Sequence, residues 1–119
     1  MPGSTFPSAL EALSFRFDEI VRLLSRRIDA ALADYDLSRT QWRLLAYVLR
    51  QEGITQSELA RVLELERASV GNTVDIMERK GLVMRVANPD DRRVWRIAAT
   101  PRAHDLLPGL RESIDDMLD

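Results

Sequence analysis

Apolar residues recur at three- and four-residue steps along most of this chain and give way to two short Val-, Ile- and Trp-containing runs late in it. Leu10, Leu13, Phe17, Ile20, Leu24, Ile28 and Ala31, widened by Val21, mark one face of a helix predicted over residues 8–33. Asp18, Arg22, Arg26 and Asp29 occupy the opposite face. A helix this long in so small a domain is expected to pack on more than its own core, and a partner chain suits it. Residues 34–37 read as a linker. A second helix is predicted over residues 40–51, with Trp42, Leu45, Val48 and Leu49 facing inward and Gly53 stopping it. A third covers residues 56–63, with Leu59, Ala60 and Leu63 inward. A fourth covers residues 68–80, with Val70, Val74 and Met77 inward and Gly81 just past its end. Ser8 with Glu11, Ser38 with Gln41 and Thr55 with Glu58 have the capping-box spacing that opens helices.

Residues 82–87 and 94–99 read as strands, joined by the turn-forming Asn88, Pro89, Asp90 and Asp91. Ile54 is a candidate for a short extra edge strand. Thr100 and Pro101 then start a last helix, carried by Leu106, Leu107, Leu110, Ile114 and Leu118. Pro108 and Gly109 interrupt that stripe and predict a kink or an early stop. Two short helices across a tight turn at Leu65, Glu66 and Arg67, followed by a hairpin, describe a winged helix-turn-helix. The fold class is mainly α with a small antiparallel β wing and helices at both ends. Such a unit lays one helix in the major groove of DNA and reaches a ribbon toward the minor groove.

Charge sharpens this picture only slightly. The net charge is −2, but residues 61–96 hold eight basic and six acidic residues, so this segment is +2 and the rest −4. Lys80 is the single lysine; the other basic residues are arginines, suited to bidentate contacts with phosphate and guanine. The absence of cysteine excludes disulfides and thiolate metal sites and fits a reducing cytoplasm. No apolar run approaches the roughly 18 residues that span a membrane. The lone His104 has no signalled metal partners, and no phosphate loop, nucleophile elbow or metalloprotease motif occurs, so neither a cofactor nor an enzyme is implied.

The residues Gln56-Ser57-Glu58-Leu59-Ala60, Val74-Asp75, Met77-Glu78-Arg79-Lys80-Gly81-Leu82-Val83, Arg85, Asp91-Arg92-Arg93 and Ala98-Ala99-Thr100 together resemble the MarR family of transcriptional regulators. Glu66-Arg67-Ala68-Ser69 and Asn72-Thr73-Val74-Asp75 look closest to its SlyA-like branch. The resemblance implies a homodimer with interlocked terminal helices, binding a pseudo-palindromic operator on double-stranded DNA. It also implies a repressor relieved by a small aromatic or phenolic anion that binds between the dimerisation and DNA-binding parts. The parts would be a lead-in (1–7), a dimerisation helix (8–36), the winged helix-turn-helix (37–99) and the start of a C-terminal dimerisation helix (100–119). Three departures stand out. The chain stops where the family usually continues, Pro108 and Gly109 fall in what is usually continuous helix, and Asn72 stands where many relatives carry arginine.

Helical spacing puts Ser69, Asn72, Thr73 and Ile76 on the edge of the fourth helix away from the core. Asn can pair bidentately with adenine, and Ser or Thr can take bases or phosphates. Arg67, placed at the turn, is expected near the phosphate backbone. Gln56 and Ser57 open the third helix, where free amides favour phosphate. Arg92 and Arg93 sit on the wing, Arg93 matching the family's minor-groove position, with Asp91 orienting an arginine. Trp42, Arg43 and Tyr47 lie near the family's usual effector pocket, where an arginine beside aromatics could hold a carboxylate. The alternative function is a winged helix that binds protein and not DNA, a use that tends to lose the basic residues kept here at Arg67, Arg92 and Arg93.

Overall fold

The computed structural model describes residues 8–116. Helix α1 (Ala9–Ala33) is followed by α2 (Arg39–Arg50), α3 (Gln56–Leu63) and α4 (Arg67–Arg79). The strands β1 (Val83–Ala87) and β2 (Trp95–Ala99) form an antiparallel pair, and α5 (Pro101–Asp116) closes the order. The caps explain most of these boundaries. Ser8, Ser38 and Thr55 each accept the amide three residues on, and Ser38 with Gln41 completes a reciprocal box. Gly81 takes φ +75°, its amide reaching the Glu78 carbonyl while the Leu82 amide reaches Met77, which ends α4. Thr100 donates to the Gly81 carbonyl at 2.6 Å and accepts from the Ala103 amide at 3.3 Å, so one hydroxyl joins the end of α4 to the start of α5.

The core lies where α2, α3, α4, the wing and α5 meet, built from Leu44, Leu45, Leu59, Leu63, Val70, Val74, Met77, Ile97 and Leu110 among others. Each such side chain contributes about 1.5–3 kcal/mol by leaving water. Leu44 is fully buried, whereas Trp42 and Leu49, expected inside, are half-buried at its margin. The Ile97 amide donates to the Ile54 carbonyl at 2.9 Å and Thr55 bridges to Arg96, so one short extra edge adds to the wing sheet. Gly53 makes room for this at φ +77°, because a Cβ there would stand 3.1 Å from Arg96 Nη1.

Two expectations are corrected. Arg67 is the first residue of α4, not part of the turn, and Glu66 is the N-cap without a side-chain bond. Helix α5 runs through Pro108 to Asp116, so the early stop, one of the two outcomes expected there, does not occur. Leu110 is fully buried and Leu106 and Ile114 pack on the core, so burial on both sides of the proline offsets its lost hydrogen bond. Gly109 lets α5 approach the end of α1: a Cβ at this position would lie 2.8 Å from the Tyr35 hydroxyl. Leu118 lies outside the described residues.

Helix α1 behaves differently from the others. Only Ala31 and Leu32 are buried, and Ile28 is half-buried. Leu10, Leu13, Phe17, Ile20, Val21 and Leu24 are all exposed, the first of them at 76%. Arg39 at the start of α2 clasps Asp29 of α1 with two bonds, at 3.1 and 2.6 Å. No helix among the described residues is long and apolar enough to cross a membrane.

Candidate nucleic-acid interface

Helix α4 presents three flanks. Val70, Val74 and Met77 are buried in the core. Gly71, Asp75 and Glu78 turn toward the wing, and the link is Arg85 on β1. Its guanidinium meets Asp75 Oδ1 at 2.7 Å, Glu78 Oε1, the Gly71 carbonyl at 3.2 Å and Gln56 Oε1 at 3.4 Å. One arginine thus joins the wing, α4 and the start of α3. The third flank, about 100° per residue round the helix, carries Ser69 and Asn72, both exposed, and Ile76, which is half-buried. Thr73 is half-buried, and its hydroxyl donates to the Ser69 carbonyl at 2.9 Å.

At the other end of α4, Lys80 holds the helix to the linker between α1 and α2. Its ammonium donates to the Asp36 carbonyl and to Gln41 Oε1 at 2.8 Å, with the Asp36 carboxylate 3.6 Å away. The only lysine of the chain is therefore occupied inside the protein. Sequence reasoning assigned no role to it, and nothing local signals this contact, which joins residues 44 apart.

The wing loop is organised by two aspartate-type turns. Asn88 Oδ1 accepts from the Asp90 amide and Asp91 Oδ1 from the Arg93 amide, each at 3.0 Å. Asp91 Oδ1 also accepts from Arg93 Nε at 3.2 Å, while the Arg93 side chain stays 91% exposed. The Arg93 amide, and then its guanidinium, hold the Asp91 carboxyl below the usual carboxylate range. Arg92 is exposed beside it.

A hollow of about 270 Å³ opens between the wing root and the starts of α3 and α4. It is lined by Gln56, Ser57, Arg67, Arg93, Val94 and Trp95. Four of the residues singled out from sequence meet here; Trp95 was missed. The hollow has two arginines and no acidic side chain in its lining. The first-turn amides of α3 and α4 have no intrahelical acceptor, which adds partial positive charge. A surface of this kind suits a chain of phosphates.

The model of the MarR family matches residues 35–94, from the linker after α1 to the end of the wing loop. The chain belongs to the MarR family. Members of this family are transcriptional regulators, not enzymes. The match is to the family as a whole and does not single out the SlyA-like branch. Among solved structures, MepR, a transcription regulator of the Staphylococcus aureus multidrug efflux pump MepA, is 26% identical with a TM-score of 0.79, covering 87% of this chain and 77% of MepR. A MepR–DNA complex from the same organism is 27% identical with a TM-score of 0.74, over the same shares of each chain. RV1404 of Mycobacterium tuberculosis, at 22% identity, shares the fold with a TM-score of 0.83, covering 95% of this chain and 78% of its own. The MarR winged helix explains why α4 and the wing share one exposed side.

Trp42 and Tyr47 are half-buried against the core, Arg43 is exposed, and the Arg50 guanidinium lies 6.0 Å from the Tyr47 ring centre. His104 is exposed, and among the described residues no cluster of three or more His, Cys, Asp or Glu is placed to hold a metal.

Proposed function

We propose that this MarR-family chain is a sequence-specific DNA-binding repressor that acts as a homodimer on a pseudo-palindromic operator. The observation that carries this reading is the gathering of Gln56, Ser57, Arg67 and Arg93 around one acid-free hollow, next to the free flank of α4. Ser69 and Asn72 would read base edges, with Thr73 supporting Ser69. Ser57, Gln56 and Arg67 would position the backbone, and Arg92 and Arg93 would take the minor groove, Arg93 oriented by Asp91. Gln56 does so with only part of its side chain, since its carbonyl oxygen is engaged by Arg85. A winged helix serving only as a protein-interaction module would have little use for arginines left unpaired, and Arg67 and Arg92 make no ion pair among the described residues.

Residues 8–36 and 100–119 form the dimerisation part in this reading, supported by the exposed apolar stripe of α1. Residues 37–99 form the reading head. A small aromatic anion would bind near Trp42, Arg43 and Tyr47, at the junction of the two parts. It would shift the population toward a spacing of the heads that no longer matches half-sites about 34 Å apart. A gel shift on a palindromic A/T-rich duplex, repeated across salt concentrations, tests the core of this reading. Binding is expected to fall steeply with salt, and Arg67→Ala should flatten the log–log slope by about 0.9 for one lost phosphate contact. Absent binding, or binding indifferent to salt, contradicts it.

A further inference from the structure

We infer that Trp95 is a DNA-contact residue, seating one sugar–phosphate unit of the duplex backbone in the hollow it shares with Arg67 and Arg93. The inference rests on the DNA-binding reading and adds to it a neutral, aromatic contact. The two tryptophans of the chain are treated differently by the fold: Trp42 packs half-buried on the core, while Trp95 is 44% exposed. An aromatic side chain carries a large apolar surface, so one left open holds back a stabilisation that a covering partner would release.

The exposure has a local cause. Trp95 is the first residue of β2 and lies on the same sheet face as Ile97, two residues on, which is fully buried. Its cross-strand partner is Ala87, too small to cover an indole. The inward face of β2 therefore runs past the edge of the core, and the indole emerges beside Ser57 and Arg67 instead of being enclosed.

The chemistry of the hollow selects its occupant. Arg67, Arg93 and the open amides of α3 ask for an anion; the lining itself holds no carboxylate, and Asp91, which meets Arg93 Nε at 3.2 Å from outside it, leaves the Arg93 side chain 91% exposed. The indole adds a flat apolar face and one N–H donor with no acceptor. A deoxyribose with its phosphate presents the matching pair, an apolar ring edge and anionic oxygens on one unit. The contact requires no base to leave the stack, so it is compatible with an intact duplex.

The test uses the full chain and a palindromic A/T-rich duplex, with wild type, Trp95→Ala and Trp95→Phe compared. Intrinsic fluorescence of the wild type should change on adding the duplex, and that change should vanish in Trp95→Phe; inorganic phosphate alone should not produce it. Trp95→Ala should bind about tenfold more weakly with the same salt slope, because no charge is removed. Trp95→Phe should recover most of the affinity, keeping the apolar face and losing only the donor. Unfolding midpoints of the three proteins should stay close together. Wild-type affinity in Trp95→Ala with no DNA-dependent fluorescence overturns the inference while leaving the regulator reading intact. So does an affinity loss that tracks lowered stability and is not rescued by phenylalanine. Failure of the wild type to bind the duplex overturns both.

Discussion

Asp91 and Arg93 show how a single contact prepares a side chain without using it up. The carboxylate grips the Arg93 amide and Nε, yet the guanidinium remains almost fully exposed. Asp91 is also a negative charge on a surface that should approach phosphate. Asp91→Asn is therefore expected to have two opposed effects. Affinity for any duplex should rise, because repulsion is removed, and the preference for A/T-rich over G/C-rich duplexes should fall, because Arg93 is less well aimed at the minor groove. Competition binding with the two duplexes measures both. The pH dependence follows from the lowered Asp91 pKa. A carboxyl whose folded value lies below its unfolded value of about 3.9 contributes stability that is fully present above that value. This contribution is lost as pH falls through the lowered folded value. The difference between wild type and Asp91→Asn should thus be constant from pH 5 to 8 and shrink only in strong acid.

Between elements, the decisive contact is Arg85. Its side chain is only 19% exposed and is bound by Asp75, Glu78, the Gly71 carbonyl and Gln56. A wing held by a two-stranded ladder alone would pivot against α4, since an isolated hairpin is marginal in water. Arg85 ties the ladder to the helix it must work beside. Arg85→Gln should lower stability by about 1–2 kcal/mol, the scale of a charged hydrogen-bond network that is partly exposed. Denaturant titration reads this directly. Duplex affinity should also fall, but the salt slope should not, because all three guanidinium nitrogens of Arg85 are already engaged inside the protein. A flatter slope would make Arg85 a phosphate ligand and would contradict its assignment as a positioning residue.

The molecule as a whole is elongated. Its radius of gyration is 18.6 Å, with extents of 65 × 33 × 20 Å, against about 13.5 Å for a compact domain of this length. The excess comes from α1, about 37 Å long, which contributes only its last turns to the core and leaves Leu13, Phe17, Ile20 and Leu24 open. An apolar stripe on a projecting helix is stable in water when a second copy covers it, and two-fold pairing then sets the spacing of two reading heads. Ile20→Glu should shift sedimentation toward monomer and weaken binding to a two-half-site duplex far more than to a single half-site. Equal losses on both duplexes, with sedimentation unchanged, would remove α1 from the interface.

How much of this was legible beforehand varies with the range of the interaction. The buried stripe of α3 and the capping of α2 follow from residues three and four apart, and periodicity alone predicted them. The strands were placed to within one residue, because turn chemistry at Asn88 and Asp91 is equally local. Candidate DNA contacts were named from a family resemblance and helical spacing, and the fold brings four of them to one hollow. Other features rest on partners distant in the chain. Lys80 reaches the linker 44 residues back, Arg85 reaches Gln56 across 29, and Tyr35 meets Gly109. The continuity of α5 through Pro108 and the exposure of Trp95 are of the same kind, since each depends on what surrounds the residue and not on its neighbours in sequence. The linear order of residues was enough to specify which elements form and which face of each is apolar, because hydrogen bonding and side-chain periodicity act over a turn or two. Which cations are consumed inside the protein and which remain free for a partner was settled only when the chain folded, because electrostatic pairing depends on distance in space.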